Sequence, residues 1–164
     1  MSKKSRTTST LTRALLLGIL SGGRSATPLA VLGLHQGDKR LAGDWQHWKT
    51  FDSSLGRAGL VAGAVGEVIG DKMPKTPSRI AFPALLGRIG AGAFVGFAFG
   101  TTTKSGKSDL RIEGAIVGAI GALVGSYVAW AARKAVSTVL PDPVVALAED
   151  AAVIAGSRAV LRAG

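Results

Sequence analysis

Residues 112–132 read Ile112-Glu-Gly-Ala-Ile-Val-Gly-Ala-Ile-Gly-Ala-Leu-Val-Gly-Ser-Tyr-Val-Ala-Trp-Ala-Ala132, and Arg133-Lys134 close the run. Beyond Glu113 at its start it holds no charge. At a rise of about 1.5 Å per residue such a helix has near-spanning length for a bilayer core of about 30 Å. Gly114, Gly118, Gly121 and Gly125 recur at steps of four, three and four. That spacing keeps all four on one helix face, where missing side chains let another helix approach closely. Glycine costs about 1 kcal/mol per position in a water-exposed helix relative to alanine, so its enrichment in apolar helical runs suits a membrane better than a soluble domain.

Working outward, the same pattern recurs. Residues 80–100 are predicted as a helix with Pro83 in its first turn and Gly92, Gly96 and Gly100 on one face. Residues 55–72 are predicted as another, with Gly59, Gly63, Gly66 and Gly70 in the register of residues 114–125. Polar segments 73–79 and 101–111 separate these runs. An earlier apolar stretch, 11–34, is broken at Ser21–Pro28, with Thr27 expected to cap a new helix whose first turn holds Pro28. The polar loop 35–54 carries Trp45 and Trp48, placed at the headgroup level on the usual preference of tryptophan beside a span. After the break at 140–143 a last helix, 143–162, carries Glu149 and Asp150; hydropathy leaves open whether it spans, lies in the interface or re-enters.

The expected fold is therefore all-α: a polytopic membrane bundle of four to five helices with a broken first helix and glycine-zipper packing. A disordered basic segment, 1–10, precedes a single membrane domain, 11–164. The basic start and the apolar stretch after it imitate a leader, but Arg24 follows Ser21-Gly22-Gly23 at once, so a retained first helix is expected. Charged residues make up 18% of the chain, below the roughly one quarter of soluble domains, and they cluster at the ends of the runs. The net charge of +10 forms no single patch or stripe, which argues for the flanks of membrane spans and against nucleic acid. Counting Lys and Arg by loop favours a cytoplasmic N-terminus, in the cell (inner) membrane.

The chain has no cysteine, and His35 and His47 stand in no ligand pattern, so no metal site and no cofactor are expected. Gly106-Lys107-Ser108 lacks the upstream glycine of a phosphate loop, no nucleophile triad is suggested, and no enzymatic activity is expected.

A shift of 55 residues lays Arg24-Ser-Ala-Thr-Pro28 over Arg79-Ile-Ala-Phe-Pro83, and Gly59, Gly63, Gly66 and Gly70 over Gly114, Gly118, Gly121 and Gly125. This suggests a two-helix repeat, 24–78 and 79–133, with parallel and inverted arrangements both open. Internal repeats in membrane proteins often flank a transport site. Buried glycine faces at both sets of positions are expected.

The residues that could carry chemistry are charges in apolar context. Glu67 and Asp71 lie one turn apart, and Glu149 and Asp150 sit inside the last helix. Carboxylates in hydrocarbon normally face the bundle interior and a partner. The open readings are a proton or cation relay and structural ion pairs with Arg24, Arg79, Arg88 or Arg133. Each Arg-x-Ala-x-Pro segment sets an arginine before a helix N-terminus, a setting for an anion, with Ser25, Thr27, Lys72, Thr76 and Ser78 as further donors. The expectation is one polar site in which Arg24, Glu67, Asp71, Arg79, Glu149 and Asp150 converge.

In order along the chain, Ser21-Gly22-x-Arg24-Ser25-x-Thr27-Pro28, then Gly66-Glu67-x-x-x-Asp71-Lys72-x-Pro74-x-Thr76-Pro77-Ser78-Arg79, then Pro141-Asp142-x-x-x-Ala146-x-x-Glu149-Asp150 resemble a bacterial family of small membrane proteins, the domain-of-unknown-function family four-one-two-six. The resemblance covers about residues 11–160. It implies a membrane location and a shared site at the motif residues, and carries no activity. The function expected is a small transporter or channel for an ion or anionic solute; the alternative is a non-transporting protein that organises lipid or a partner. The bilayer is the first partner expected, with an ion, an anionic solute or a lipid head group at the site and association with further copies left open.

Overall fold

Close packing of glycine against backbone builds the centre of the molecule. The computed structural model describes residues 3–71, 80–102, 109–138 and 141–163, all helix, turn or loop. Its helices are α1 (Lys3–Gly23), α2 (Thr27–Leu34), α3 (Lys49–Asp52), α4 (Ser54–Gly70), α5 (Phe82–Gly100), α6 (Arg111–Val136) and α7 (Asp142–Arg162). α5 and α6 are long and apolar enough to cross a membrane.

α6 packs against both α1 and α5, and those two also touch each other. Against α5, Gly114 meets Gly96 and Gly118 meets Gly92, and a methyl group on any of them would overlap the facing carbonyl. That register runs in opposite directions, so the two helices are antiparallel. Against α1, Gly118 meets Gly18, Gly121 meets Leu15 and Gly125 meets Ile19, in a parallel register. The opposite face of α6 exposes Ile112, Ile116, Ile120, Val124 and Val128. The small residues are inside and the large apolar ones outside, the reverse of a soluble core helix.

The broken first helix is observed, with two differences from expectation. α1 begins at Lys3, inside the segment expected to be disordered. Arg13 helps tie it down: its guanidinium donates to the carbonyls of Val160 (2.9 Å) and Leu161 (2.8 Å) at the end of α7 and lies over the Phe99 ring. At the break, Ser21, Gly22 and Gly23 remain helical and residues 24–26 do not. Thr27 is the first residue of α2 rather than its cap; Ala26 holds the cap position and has no capping side chain of its own.

The loop after α2 is folded into two 3-10 turns (Lys39–Leu41 and Asp44–His47) and the single turn of α3. Trp45, expected among head groups, is fully buried. Its indole N–H donates to the Leu41 carbonyl (2.9 Å) and its ring meets Phe51 edge-on at 5.1 Å. With its one polar atom satisfied, burial of the ring is favourable by an amount on the scale of the about 1.5–3 kcal/mol of a buried large apolar side chain. Trp48 packs against Phe51, Phe94 and Phe97.

α4 starts at an N-cap, Ser53, whose hydroxyl accepts from Gly56 N–H (2.9 Å). No residue of α4 is fully buried. A Cβ on Gly59, Gly66 or Gly70 would meet nothing within 4 Å, and one on Gly63 would meet only Ala26 Cβ, at 3.9 Å. The burial expected for this glycine face is therefore corrected. α4 presents to the rest of the molecule the partly buried stripe Leu60, Ala64, Glu67 and Asp71, one residue further on and so rotated by about 100°.

Candidate functional site at the helix break

Breaking a helix exposes carbonyls on one side and N–H groups on the other, and in an apolar interior both need partners. Here each end receives a charged side chain. The carbonyls of Gly22 and Gly23, at the end of α1, accept from Arg88 Nη1 at 2.9 and 2.6 Å. The N–H groups of Ser25 and Ala26, entering α2, donate to Glu67 Oε1 (2.8 Å) and Oε2 (2.9 Å), and the Ser25 hydroxyl donates to Oε1 (2.9 Å). Glu67, from α4, thus supplies the N-terminal cap that Thr27 was expected to provide, with the favourable sign for the α2 dipole. Arg88 Nη2 stands 3.5 Å from Glu67 Oε1, so one arginine of α5 joins both sides of the break.

Arg24, in the break itself, is wholly buried. Its Nη1 pairs with Asp71 Oδ2 and its Nε with Asp150 Oδ1. Asp71 follows α4 by one residue and lies 4.0 Å from Arg88 Nη2, which links the Arg24 and Arg88 groups. Asp150 is buried in α7. Glu149, one residue earlier, points elsewhere on the helix: it faces Arg133 of α6 at 3.9 Å and lies beside Gly23. Arg24 Nη2 and Asp150 Oδ2 are buried and make no hydrogen bond with any described residue.

Of the expected cluster, Arg24, Ser25, Glu67, Asp71 and Asp150 come together, with Glu149 at the edge and Thr27 buried in the first turn of α2. Lys72, Thr76, Ser78 and Arg79 lie outside the described residues. Arg88 was expected only as a possible ion-pair partner, not as a site residue. Its depth in the apolar run 80–100 was the signal available. The carbonyls of Gly22 and Gly23 had no signal of their own, because a backbone group becomes a ligand only through the course of the chain.

Four helices and the break supply three arginines (24, 88 and 133) and four carboxylates (67, 71, 149 and 150). Isolated buried charges are costly, and pairing is what makes them tolerable. Removing one partner of a buried pair typically costs about 3–5 kcal/mol, so the cluster also holds α4 and α7 to α1–α2. The anion setting read at Arg24–Pro28 is real as a set of donors, and Glu67 occupies it.

Two grooves flank the cluster. One, of about 620 Å³, runs along α4 and is lined by Leu34, Ala58, Val61, Ala62 and Val65 with Arg57 at its end. The other, of about 320 Å³, lies between α6 and α7, where Ala129, Ala132, Val144 and Ala148 lead to Arg133 and Glu149.

The chain belongs to the family described as Domain of unknown function (DUF4126), whose profile it matches over residues 11–163. No curated protein and no solved structure matches it.

Proposed function

We propose that this member of the DUF4126 family is a small multi-pass membrane protein that carries an ion or an anionic solute through the α1–α2 break. The observation that supports this most is the convergence of Arg24, Arg88, Glu67, Asp71 and Asp150 on the two open ends of one broken helix. Discontinuous helices with charged groups at their free ends are how secondary transporters bind solutes at mid-depth. The membrane setting is supported by two spanning-length helices and by the outward isoleucines and valines of α6, which in water would form an apolar patch. α1 and α4, which meet at the charge cluster, are read as further membrane segments, α7 as spanning or interfacial. The loop charges favour the cell (inner) membrane with a cytoplasmic N-terminus. The proposed role is carriage, without an enzymatic step.

The protein is expected to stay in carbonate-washed membranes. After purification and reconstitution in liposomes, uptake of labelled small anions and monovalent cations is expected, and it should fall to background in Arg88→Gln and Arg24→Gln variants that still insert. Release by carbonate would remove the membrane reading. Folded protein that takes up neither class of ion would favour the alternative, a non-transporting protein that organises lipid or a partner. That second reading draws support from the pairing of each arginine of the cluster with a carboxylate.

A further inference from the structure

We infer that the donors around Glu67 are an exchange site for a carboxylate: a carboxylate-bearing solute takes the place of Glu67 at the α2 N-terminus, and α4 is released when it does. This deepens the carrier reading by naming its ligand class, and its chemistry stands apart from whether the ligand crosses the membrane.

Four donors address one carboxylate. Ser25 N–H, Ser25 Oγ and Ala26 N–H lie within 2.9 Å of its oxygens, and Arg88 Nη2 within 3.5 Å. Two N–H groups split between two oxygens are matched to a planar, two-oxygen anion, which a spherical anion satisfies less well. Arg88 is itself 5% exposed, and its other terminal nitrogen is held by the Gly22 and Gly23 carbonyls, so its position does not depend on Glu67. Arg24, next to Ser25, is wholly buried and keeps Nη2 without a hydrogen bond among the described residues, a second donor in the break for an incoming anion.

The occupant, by contrast, comes from a helix with no fully buried residue. A Cβ on its Gly59 or Gly66 would meet nothing within 4 Å, and Glu67 and Asp71 tie it to the break. Replacing Glu67 by another carboxylate leaves the charge at the α2 N-terminus unchanged. The exchange therefore avoids stripping the site bare, the costly step in opening a buried ion pair.

The test uses the full chain in detergent. Glu67→Ala should melt below wild type, and sodium formate or acetate should raise its melting temperature saturably, beyond sodium chloride at equal ionic strength. Glu67→Ala combined with Arg88→Gln should lose that rescue. In wild type, acetate should instead speed hydrogen exchange across residues 54–70, leaving α6 unchanged. If Glu67→Ala does not fold, Glu67→Gln takes its place in the melts, and the wild-type exchange measurement stands by itself. Formate and acetate acting no differently from chloride on both the variant and wild type would overturn the inference. Rescue without liposome uptake would keep the carboxylate site and remove the carrier reading; uptake without rescue would do the reverse.

Discussion

Helices α4 and α6 carry glycines in the same register, 59/63/66/70 and 114/118/121/125, and use them in opposite ways. In α6 the glycines are pressed against the backbones of α5 and α1; in α4 a Cβ would meet open space at three of the four. What differs is the neighbouring stripe. Under the 55-residue shift Glu67 corresponds to Ala122 and Asp71 to Ser126, both fully buried where α6 meets α1 and α5. Where the adjacent positions are small, the helix can turn its glycines inward and dock by close contact. Where they are carboxylates, pairing with Arg24 and Arg88 sets the rotation, and the glycines are carried outward. Glycine spacing thus marks a face able to pack, and the polar side chain beside it decides whether that face does.

The largest expected effect breaks the comparison at its tight half. Gly118→Leu places a side chain into the α5 backbone at Gly92 and Gly96, which cannot give way as a flexible side chain would. Overpacking usually costs about 1–3 kcal/mol, and a clash with backbone belongs at or beyond the top of that range. The variant should fail to give a detergent-stable protein by size exclusion. Gly66→Leu should melt within about 0.5 kcal/mol of wild type, as exposed substitutions do. Equal damage from both would mean that α4 packs by its glycines after all.

Next in size is the charge cluster. Asp71→Asn should lose about 3–5 kcal/mol by leaving Arg24 less compensated, and Arg24→Gln a similar amount. The double variant should cost less than the sum of the two, since a coupled pair is removed together. Thermal melts of the four proteins measure this, and strict additivity would show that the pair does not form.

The double substitution Glu67→Ala and Asp71→Ser sharpens the comparison by giving α4 the residues of α6 at the matched positions. It should raise hydrogen exchange in residues 54–70 while leaving α5 and α6 protected. Unchanged protection in α4 would mean that its apolar stripe suffices to hold it.

Much of this was legible in the sequence. The long apolar runs follow from Pro and polar-loop punctuation, and the convergence of Arg24, Asp71 and Asp150 follows from the cost of solitary charges. The number of helices did not: four to five were expected and seven are described, because the broken first run counts as α1 and α2 and the polar loop folds the single turn of α3. The rotation of α4 was not legible, because the glycine stripe and the carboxylate stripe lie one residue apart and period alone ranks neither. The burial of Trp45 was not legible either, since it rests on a carbonyl four residues back and on Phe51 folding over it. The helical 3–10 segment is secured in part by Arg13 reaching the far end of the chain, a contact with no local signature.

The smallest effect lies outside the helices. Asp38 sits in the loop after α2, where the Arg40 side-chain and backbone hydrogen bonds hold its carboxyl at about 2, below the ordinary 3.8. A depressed value contributes stability above the ordinary pKa that is lost as pH falls through about 2. Because the Asp38 carboxylate lies in a surface loop and pairs with the exposed Arg40, Asp38→Asn should shift melting little at neutral pH and make the protein less sensitive to acid only below about 4.

α4 docks at the helix break through its carboxylate stripe, and one cross-link tests that docking directly. The chain has no cysteine, and a Cβ on Gly63 would stand 3.9 Å from that of Ala26, inside the usual Cβ–Cβ range of a disulfide of about 3.5–4.5 Å. In carbonate-washed membranes, the Ala26→Cys and Gly63→Cys pair should oxidise nearly completely, with Ala26→Cys and Gly59→Cys as the unlinked control. Adding Glu67→Gln should slow the reaction. Failure of the 26–63 pair to link, or linking of 26–59 at the same rate, would contradict the docking of α4 at the break.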